Sequence, residues 1–479
     1  MTKYEAVIGL EVHVELMTER KITCYCKNEF GAEPNVNTCP ICLGMPGALP
    51  MLNRQVLEFA IKAGLACHCE IAPYAQMERK NYFYPDLPKA YQITQGQHPL
   101  CIGGYLDIET RAGKKRVRLN RIHIEEDAGK LIHLEGEGTL VDLNRAGVPL
   151  IEIVTEPDLS SPEEVDAFLR KIRAMVQYTG VSDGRMDRGS MRCDVNLSIR
   201  PAGTEELGTR TEMKNLNSFN FVTKALEHEY QRQVEILESG GVIEQETRRF
   251  DSATGTSSSL RSKEDATDYR YFPDPDLVPI LVSPEEVAAI RATIPRLPDV
   301  RIEEYVERWE LPEYDANLLT NDIRIADFFE AAAVHTNYPK IAANLIIADL
   351  LPGLAEEGDV PLAPEQLSVL SDLLGTEEIN SNTGRKVFKA MISSQDPIDP
   401  LAYVEEHQLK QINDPEILAG YVEEALAASA KAVKDYRRGK EAALRSIIGQ
   451  VMRATSGRAN PILTEEMIKD KIAALPEPE

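Results

Sequence analysis

Apolar and ionisable residues alternate from Leu10 to Leu16. Leu10, Val12, Val14 and Leu16 interleave with Glu11, His13 and Glu15. A period of two predicts a β-strand with one face in a core and the other carrying two carboxylates and an imidazole. The pattern returns further on. In the run from Arg121 to Lys130, His123 and Glu125 share one strand face and Glu126-Asp127 are expected to open the following turn, and Asp194, Asn196 and Ser198 share one face of the run from Ser190 to Arg200. Glu152 interrupts a nearly continuous apolar stretch from Leu150 to Val154, where a lone ionised carboxylate is costly unless it is paired or metal-bound. A buried arginine, Arg145 or Arg192, is one possible partner; a metal or substrate is the other.

The period then becomes helical. Ser161-Pro162-Glu163-Glu164 has the form of a capping box with proline in the first turn, and predicts an amphipathic helix ending near Gly180. A long helix is expected from Phe219 to Glu238, stopped by Gly240-Gly241. Pro295, Pro298 and Pro312 then punctuate a hinge-like segment containing the only tryptophan, Trp309. Helical periodicity follows over Ile323–Ala333, Ile341–Leu351 and Pro364–Leu374, then over Glu416–Ala430, Lys431–Arg437, Glu441–Ala454 and from Thr464. The expected fold is therefore α+β: an acid-faced sheet domain over 1–292, a helical domain over 293–405 and a small all-α tail over 406–479.

Charge narrows the function. A net charge of −24 over 479 residues argues against a non-specific polyanion binder. The tail is locally basic, with Lys431, Lys434, Arg437, Arg438, Lys440, Arg445, Arg453 and Arg458, which suits either solvated helix faces or a nucleic-acid contact. No apolar run approaches the roughly 20 residues of a membrane span. The first strand begins almost at once, which leaves no room for a signal or transit peptide and points to the cytoplasm.

Six of the eight cysteines fall between Cys24 and Cys69. Cys24-Tyr25-Cys26 and Cys39-Pro40-Ile41-Cys42 form a CxC and a CxxC pair across a short loop, a spacing that closes a tetrahedral four-sulfur site for Zn²⁺. Four reduced thiols in a loop, or competition from Cys67-His68-Cys69, are the alternatives. Arg79 and Lys80 precede the cluster Asn81-Tyr82-Phe83-Tyr84, with Lys89 and Tyr91 close behind. Cations with interleaved aromatics suit a phosphate plus a stacked base or the acceptor end of an RNA, or equally a tyrosine-rich loop packed on the core.

Several strands with carboxylates on one face must hold cations or repel themselves. With Arg79, Lys80, Arg192, Arg200, Arg210 and Lys214 in the same region, a metal–nucleoside triphosphate is the natural resident, carboxylates on Mg²⁺ and cations on phosphate. The sequence has neither a P-loop nor a kinase glycine loop.

The run Val7-Ile8-Gly9-Leu10-Glu11-Val12-His13-Val14-Glu15-Leu16 resembles the B subunits of the tRNA-dependent amidotransferase. So do Arg79-Lys80-Asn81-Tyr82-Phe83-Tyr84-Pro85-Asp86, Met191-Arg192-Cys193-Asp194-Val195-Asn196, Met213-Lys214-Asn215-Leu216-Asn217-Ser218 and Asp268-Tyr269-Arg270-Tyr271-Phe272-Pro273. In the tail, Gly449-Gln450-Val451-Met452 and Gly457-Arg458-Ala459-Asn460-Pro461 carry the same likeness. The resemblance implies a glutamine-synthetase-like cradle domain with antiparallel sheets around long helices. It implies an ATP- and Mg²⁺-dependent ligase that converts misacylated Glu-tRNA(Gln), Asp-tRNA(Asn) or both to the amide. Ammonia would come from an amidase-type glutaminase A subunit, and a small C subunit would steady the pair. Carried over residue by residue, Glu11, His13 and Glu125 would bind Mg²⁺, with Glu126, Glu152 and Asp194 nearby. Arg192 and Lys214 would meet phosphate or transition-state charge, and Lys80, Tyr82 and Lys89 would line the ammonia exit or acyl site. Cys24, Cys26, Cys39 and Cys42 match the zinc-bearing branch. Two other readings compete: a free-standing ligase of glutamine-synthetase type acting on a small acid, which has no need of the helical, basic C-terminal half, and a zinc-stabilised RNA-binding protein, which has no need of the acidic strands.

Overall fold

The computed structural model describes residues 3–134, 136, 138–216, 218–251, 254–262, 268–354, 359–394 and 396–475. Asn217 of the Met213–Ser218 motif lies outside them. The chain divides into two compact units, Met1–Arg301 and Ile302–Glu479.

In the first unit the alternating run becomes the Tyr4–Glu15 strand, inside a ten-stranded sheet. Pro149–Thr155 pairs with it on one side and Met191–Pro201 on the other, both antiparallel. Gly113–Glu126 lies beyond the first and Thr211–Leu216 beyond the second, again antiparallel. One outer pairing, Thr211–Leu216 with Glu246–Asp251, is parallel. The Phe219–Glu238 helix carries the chain back between them, as a parallel pair requires. Ile8, Leu10, Val12 and Val14 join Ile151, Ile153, Val195, Leu197, Phe168 and Ile172 in one buried cluster. The apolar phase of the alternation is spent on this core, so the ionisable phase stands on the opposite face.

The helix starts follow from capping chemistry. Ser161 Oγ accepts the Glu164 N–H at 3.2 Å, opening Pro162–Tyr178. The Glu164 carboxylate takes the N–H of Ser160 rather than of Ser161, at 2.7 Å, so the reciprocal half of the box is displaced by one residue. Ser218 caps Phe219–Glu238, and Gly240 follows its end with φ +80°.

The second unit is helical and holds two hydrophobic clusters, one around Phe329, Ile346, Leu370 and Phe388, the other around Leu418, Val422, Ile447, Val451 and Ile468. Ile323–Ala333, Pro364–Gly375 and Ala442–Ala454 fall where the periodicity places them. Part of the proline-punctuated segment is helical. Pro298 opens the Pro298–Trp309 helix, where its missing N–H costs nothing, and Trp309 packs on Phe329 with ring centroids 5.0 Å apart. The final helix starts at Pro461, three residues before Thr464, because Asn460 caps it by accepting from the N–H groups of Ile462 and Leu463. No described helix is long and apolar enough to cross a membrane.

Candidate active site and metal centre

Strand register brings three sequence-distant residues together. His13 is the Cα partner of Glu152, and Glu152 of His123. His13 Nε2 lies 3.4 Å from Glu125 Oε1 and 3.5 Å from Glu152 Oε2. His123 Nε2 lies 3.4 Å from Glu152 Oε2. Glu125 and His123 are buried, while His13 and Glu152 keep an open edge. Glu152 therefore pairs with two histidines, and neither Arg145 nor Arg192 serves it.

The fields in this cluster pull its members apart. Burial opposes a charged His13, but the hydrogen bond to Glu152 and the charges of Glu125 and Glu152 outweigh it and raise the group to about 9. Burial lowers His123 to about 4. Burial raises Glu125, with Glu152 adding to it and His13 opposing. Burial would also raise Glu152, but the His13 hydrogen bond and the charges of His123 and His13 hold it well below the usual carboxylate range.

One pleat along the central strand stands a second group. Glu11 is the Cα partner of Asp194, and their carboxylates meet that of Glu212 with all three ligand atoms within 4.8 Å. Lys214 pairs with Asp194 and lies 2.9 Å from Glu212. Asn196 donates to Glu11 at 3.1 Å. Burial, then Glu152, Glu212 and Asp194, push Glu11 up. Glu212 escapes the sequence reading, although its place two residues before Lys214 on one strand puts both on the same face.

The remaining candidates divide. Arg192 donates to Asp127 at 2.6 Å, and Arg145 stands 3.4 Å from the same carboxylate. Lys80 lies over the Tyr269 ring, 4.8 Å from its centroid, and its charge is felt by Glu125 and Glu152. Burial, with Glu125 and Asp86 adding, pushes the Tyr82 hydroxyl up. Glu126, expected beside Glu125, turns away from it. Successive residues of a strand face opposite sides, and its carboxylate is held by Lys89 Nζ at 2.6 Å and the Ile93 N–H at 2.8 Å. Lys89 is thereby drawn into a buried pair. A cavity of about 870 Å³ beside Tyr4, Arg200 and Tyr230 contains none of these residues.

The donor sets fit divalent ions. His13, Glu125 and Glu152 offer one nitrogen and two oxygens within 4.8 Å of one another, and Glu11, Asp194 and Glu212 offer oxygens alone, the set that hard cations prefer. His123 Nδ1 is buried with no hydrogen-bond partner, an unmet polar atom beside the first set. Cys24, Cys26, Cys39 and Cys42 bring four sulfurs within 4.8 Å of one another, so this loop is able to hold a metal ion. The hydrogen bond from Cys24, and after it Lys21 against burial, pull the Cys42 thiol well below its ordinary value, as a thiolate ligand needs. Cys67 and Cys69 stand apart from this group, at the end of the Arg54–Ala66 helix.

Comparison with known proteins accords with the geometry. Residues 6–288 match the GatB/GatE catalytic domain, and residues 327–472 match the GatB domain. The B subunit of the aspartyl/glutamyl-tRNA(Asn/Gln) amidotransferase of Caldicellulosiruptor saccharolyticus is 52% identical over 478 residues, covering 98% of this chain and 99% of that protein. Its counterpart in Caldanaerobacter subterraneus subsp. tengcongensis is 50% identical over 475 residues, covering 98% of this chain and all of that protein. That of Geotalea uraniireducens is 49% identical over 478 residues, covering 98% and 99%. On its sheet, its acid-lined face and its full-length likeness to these proteins, the chain belongs to the family of aspartyl/glutamyl-tRNA(Asn/Gln) amidotransferase B subunits.

Proposed function

We propose that this chain is the kinase and transamidase component of a glutamine-dependent amidotransferase. It takes misacylated Glu-tRNA(Gln), Asp-tRNA(Asn) or both and converts the side-chain carboxylate to an amide at the expense of ATP. The observation that carries this reading is the pair of ligand groups on one strand. Glu11 belongs to one and His13 to the other, and residues two apart on a strand stand about 7 Å apart. Each group would hold a divalent ion, which would supply positive charge to a transferring phosphate.

Glu11, His13, Glu125, Glu152 and Asp194, joined by Glu212, would hold Mg²⁺. When bound, Mg²⁺ screens the repulsion between a carboxylate nucleophile and an anionic triphosphate. The chain's own groups do the rest. Lys214 and Arg192, now on Asp194 and Asp127, supply positive charge to the phosphate oxygens. A side-chain carboxylate oxygen attacks the γ-phosphorus and ADP leaves. Ammonia then attacks the acyl carbon, phosphate leaves, and the nitrogen gives up a proton. Lys80 and Tyr82 border this place and line the acyl site or ammonia exit, while Lys89 supports its floor through Glu126. Cys24, Cys26, Cys39 and Cys42 hold a structural zinc ion. An amidase-type glutaminase A subunit supplies the ammonia, a small C subunit steadies the pair, and the helical and tail segments grip the tRNA, all in the cytoplasm.

The test measures ATP- and glutamine-dependent conversion of Glu-tRNA(Gln) and Asp-tRNA(Asn) with and without the A-type partner. Partner-dependent amide formation supports the reading. Activity on free glutamate, or indifference to the partner, overturns it.

A further inference from the structure

Lys21 is a lysine with no exposure to solvent. Its ammonium donates to the carbonyls of Ala146 at 2.8 Å and Leu143 at 3.3 Å, and sits 3.9 Å from Cys42 Sγ. Among the described residues no carboxylate comes within ion-pair range of it. Two carbonyls satisfy hydrogen bonds but carry no net charge, and a dry ammonium without a counter-charge is strongly disfavoured. Four thiolates around Zn²⁺ carry a net charge of −2, so each lacks what the other has.

We propose that Lys21 is the fixed positive charge that balances the four-cysteine centre and ties it to the chain entering the Pro149–Thr155 strand. Its carbonyl partners belong to that entering chain, and Glu152 of the strand faces His13. Gly147 closes the junction: a Cβ built there would meet Cys42 Cβ at 3.6 Å and Lys21 Cδ at 3.7 Å. A second seam runs alongside. Asn35 and Asn144 exchange hydrogen bonds with the opposite segment, Asn35 accepting from the Leu143 N–H at 2.8 Å and Asn144 donating to the Glu33 carbonyl at 2.7 Å. Lys21 is a positioning residue here: it acts on the metal through the sulfur it neutralises.

This role rests on the zinc reading proposed above; the experiment uses the full-length protein and reads zinc rather than turnover, so it is independent of the amide-forming reaction. Zinc per chain is determined by elemental analysis, and the rate of zinc loss to a chromogenic chelator is followed for wild type, Lys21→Met and Lys21→Arg. Lys21→Met, similar in length but neutral, is expected to lose zinc at least about 10-fold faster, the scale on which groups supporting a metal's ligands act. Lys21→Arg, which keeps the charge, is expected to stay within about 3-fold of wild type. Equal rates for Lys21→Met and wild type overturn the proposal, as does a wild-type protein that takes up no zinc. If Lys21→Met fails to fold, acetylation of wild-type lysines decides: Lys21 should be protected with zinc bound and modified after chelation. Equal protection in both states refutes the tie.

Discussion

His13 Nε2 and Glu152 Oε2 stand 3.5 Å apart on strands whose facing Cα atoms are register partners. The pair needs two strands separated by more than a hundred residues of chain, and with the charge of Glu125 it pushes His13 up to about 9 against the effect of burial. If His13 ligates a metal it must do so as neutral imidazole, so metal and proton would compete for it.

Divalent-ion binding is therefore expected to expel a proton. Below about 9, where His13 holds its proton, affinity should rise with pH and level off above that value. Calorimetry with Mn²⁺ at pH 7.5, in buffers of different ionisation heat, should show about one proton released. In the metal-free protein the sign for stability is opposite. A histidine raised in the fold contributes stability fully below about 6.5, and loses it as pH rises through about 9.

Replacing His13 or Glu125 by alanine should cut ATP-dependent phosphorylation by about 100-fold or more, the scale of removing a group that stabilises developing charge. Affinity for tRNA should be unchanged. Single-turnover formation of ADP beside a tRNA-binding titration separates the two, and normal turnover in either variant would remove these residues from the site.

Lys89→Met should destabilise the first unit by about 3 kcal/mol, because it leaves the buried Glu126 carboxylate without its partner. Adding Glu126→Gln should return part of that loss. Denaturation midpoints of the single and double variants check this. A silent Lys89→Met would mean that the pair carries no weight in the fold.

Ending the chain after residue 410 removes the whole hydrophobic cluster around Leu418 and Ile447 and leaves the cluster around Phe329 intact. The shortened protein should fold and keep ATP chemistry. Its tRNA affinity should fall by about 10-fold or more, with a shallower salt dependence as basic contacts are lost. Unchanged binding would place the tRNA grip elsewhere.

What could be read from the residues follows from the range of the forces involved. Alternation from Leu10 to Leu16 is local, and the strand and its acid face are where it puts them. The CxC and CxxC pairs are also local, and their four sulfurs converge. Partner choice is not local. That Glu152 meets His13 and His123 rather than an arginine depends on which strands lie side by side, which no single stretch encodes. Glu125 and Glu126 show the same limit within one dipeptide: both look like ligands, and only the pleat decides that one faces His13 and the other Lys89. Pro298 misleads for a different reason, since proline ends helices in their interior yet starts them in the first turn.

The strand bearing Glu11 and His13 is hydrogen-bonded along both edges by neighbours that are themselves paired further out. Opening it means unzipping the middle of the sheet, so its amides should exchange with deuterated water among the slowest in the molecule. Fraying of the outermost strands then costs little alignment of Glu11 and His13. Glu11 and His13 ride on the portion of the fold that breathes last, and keep their placement while the margins fluctuate.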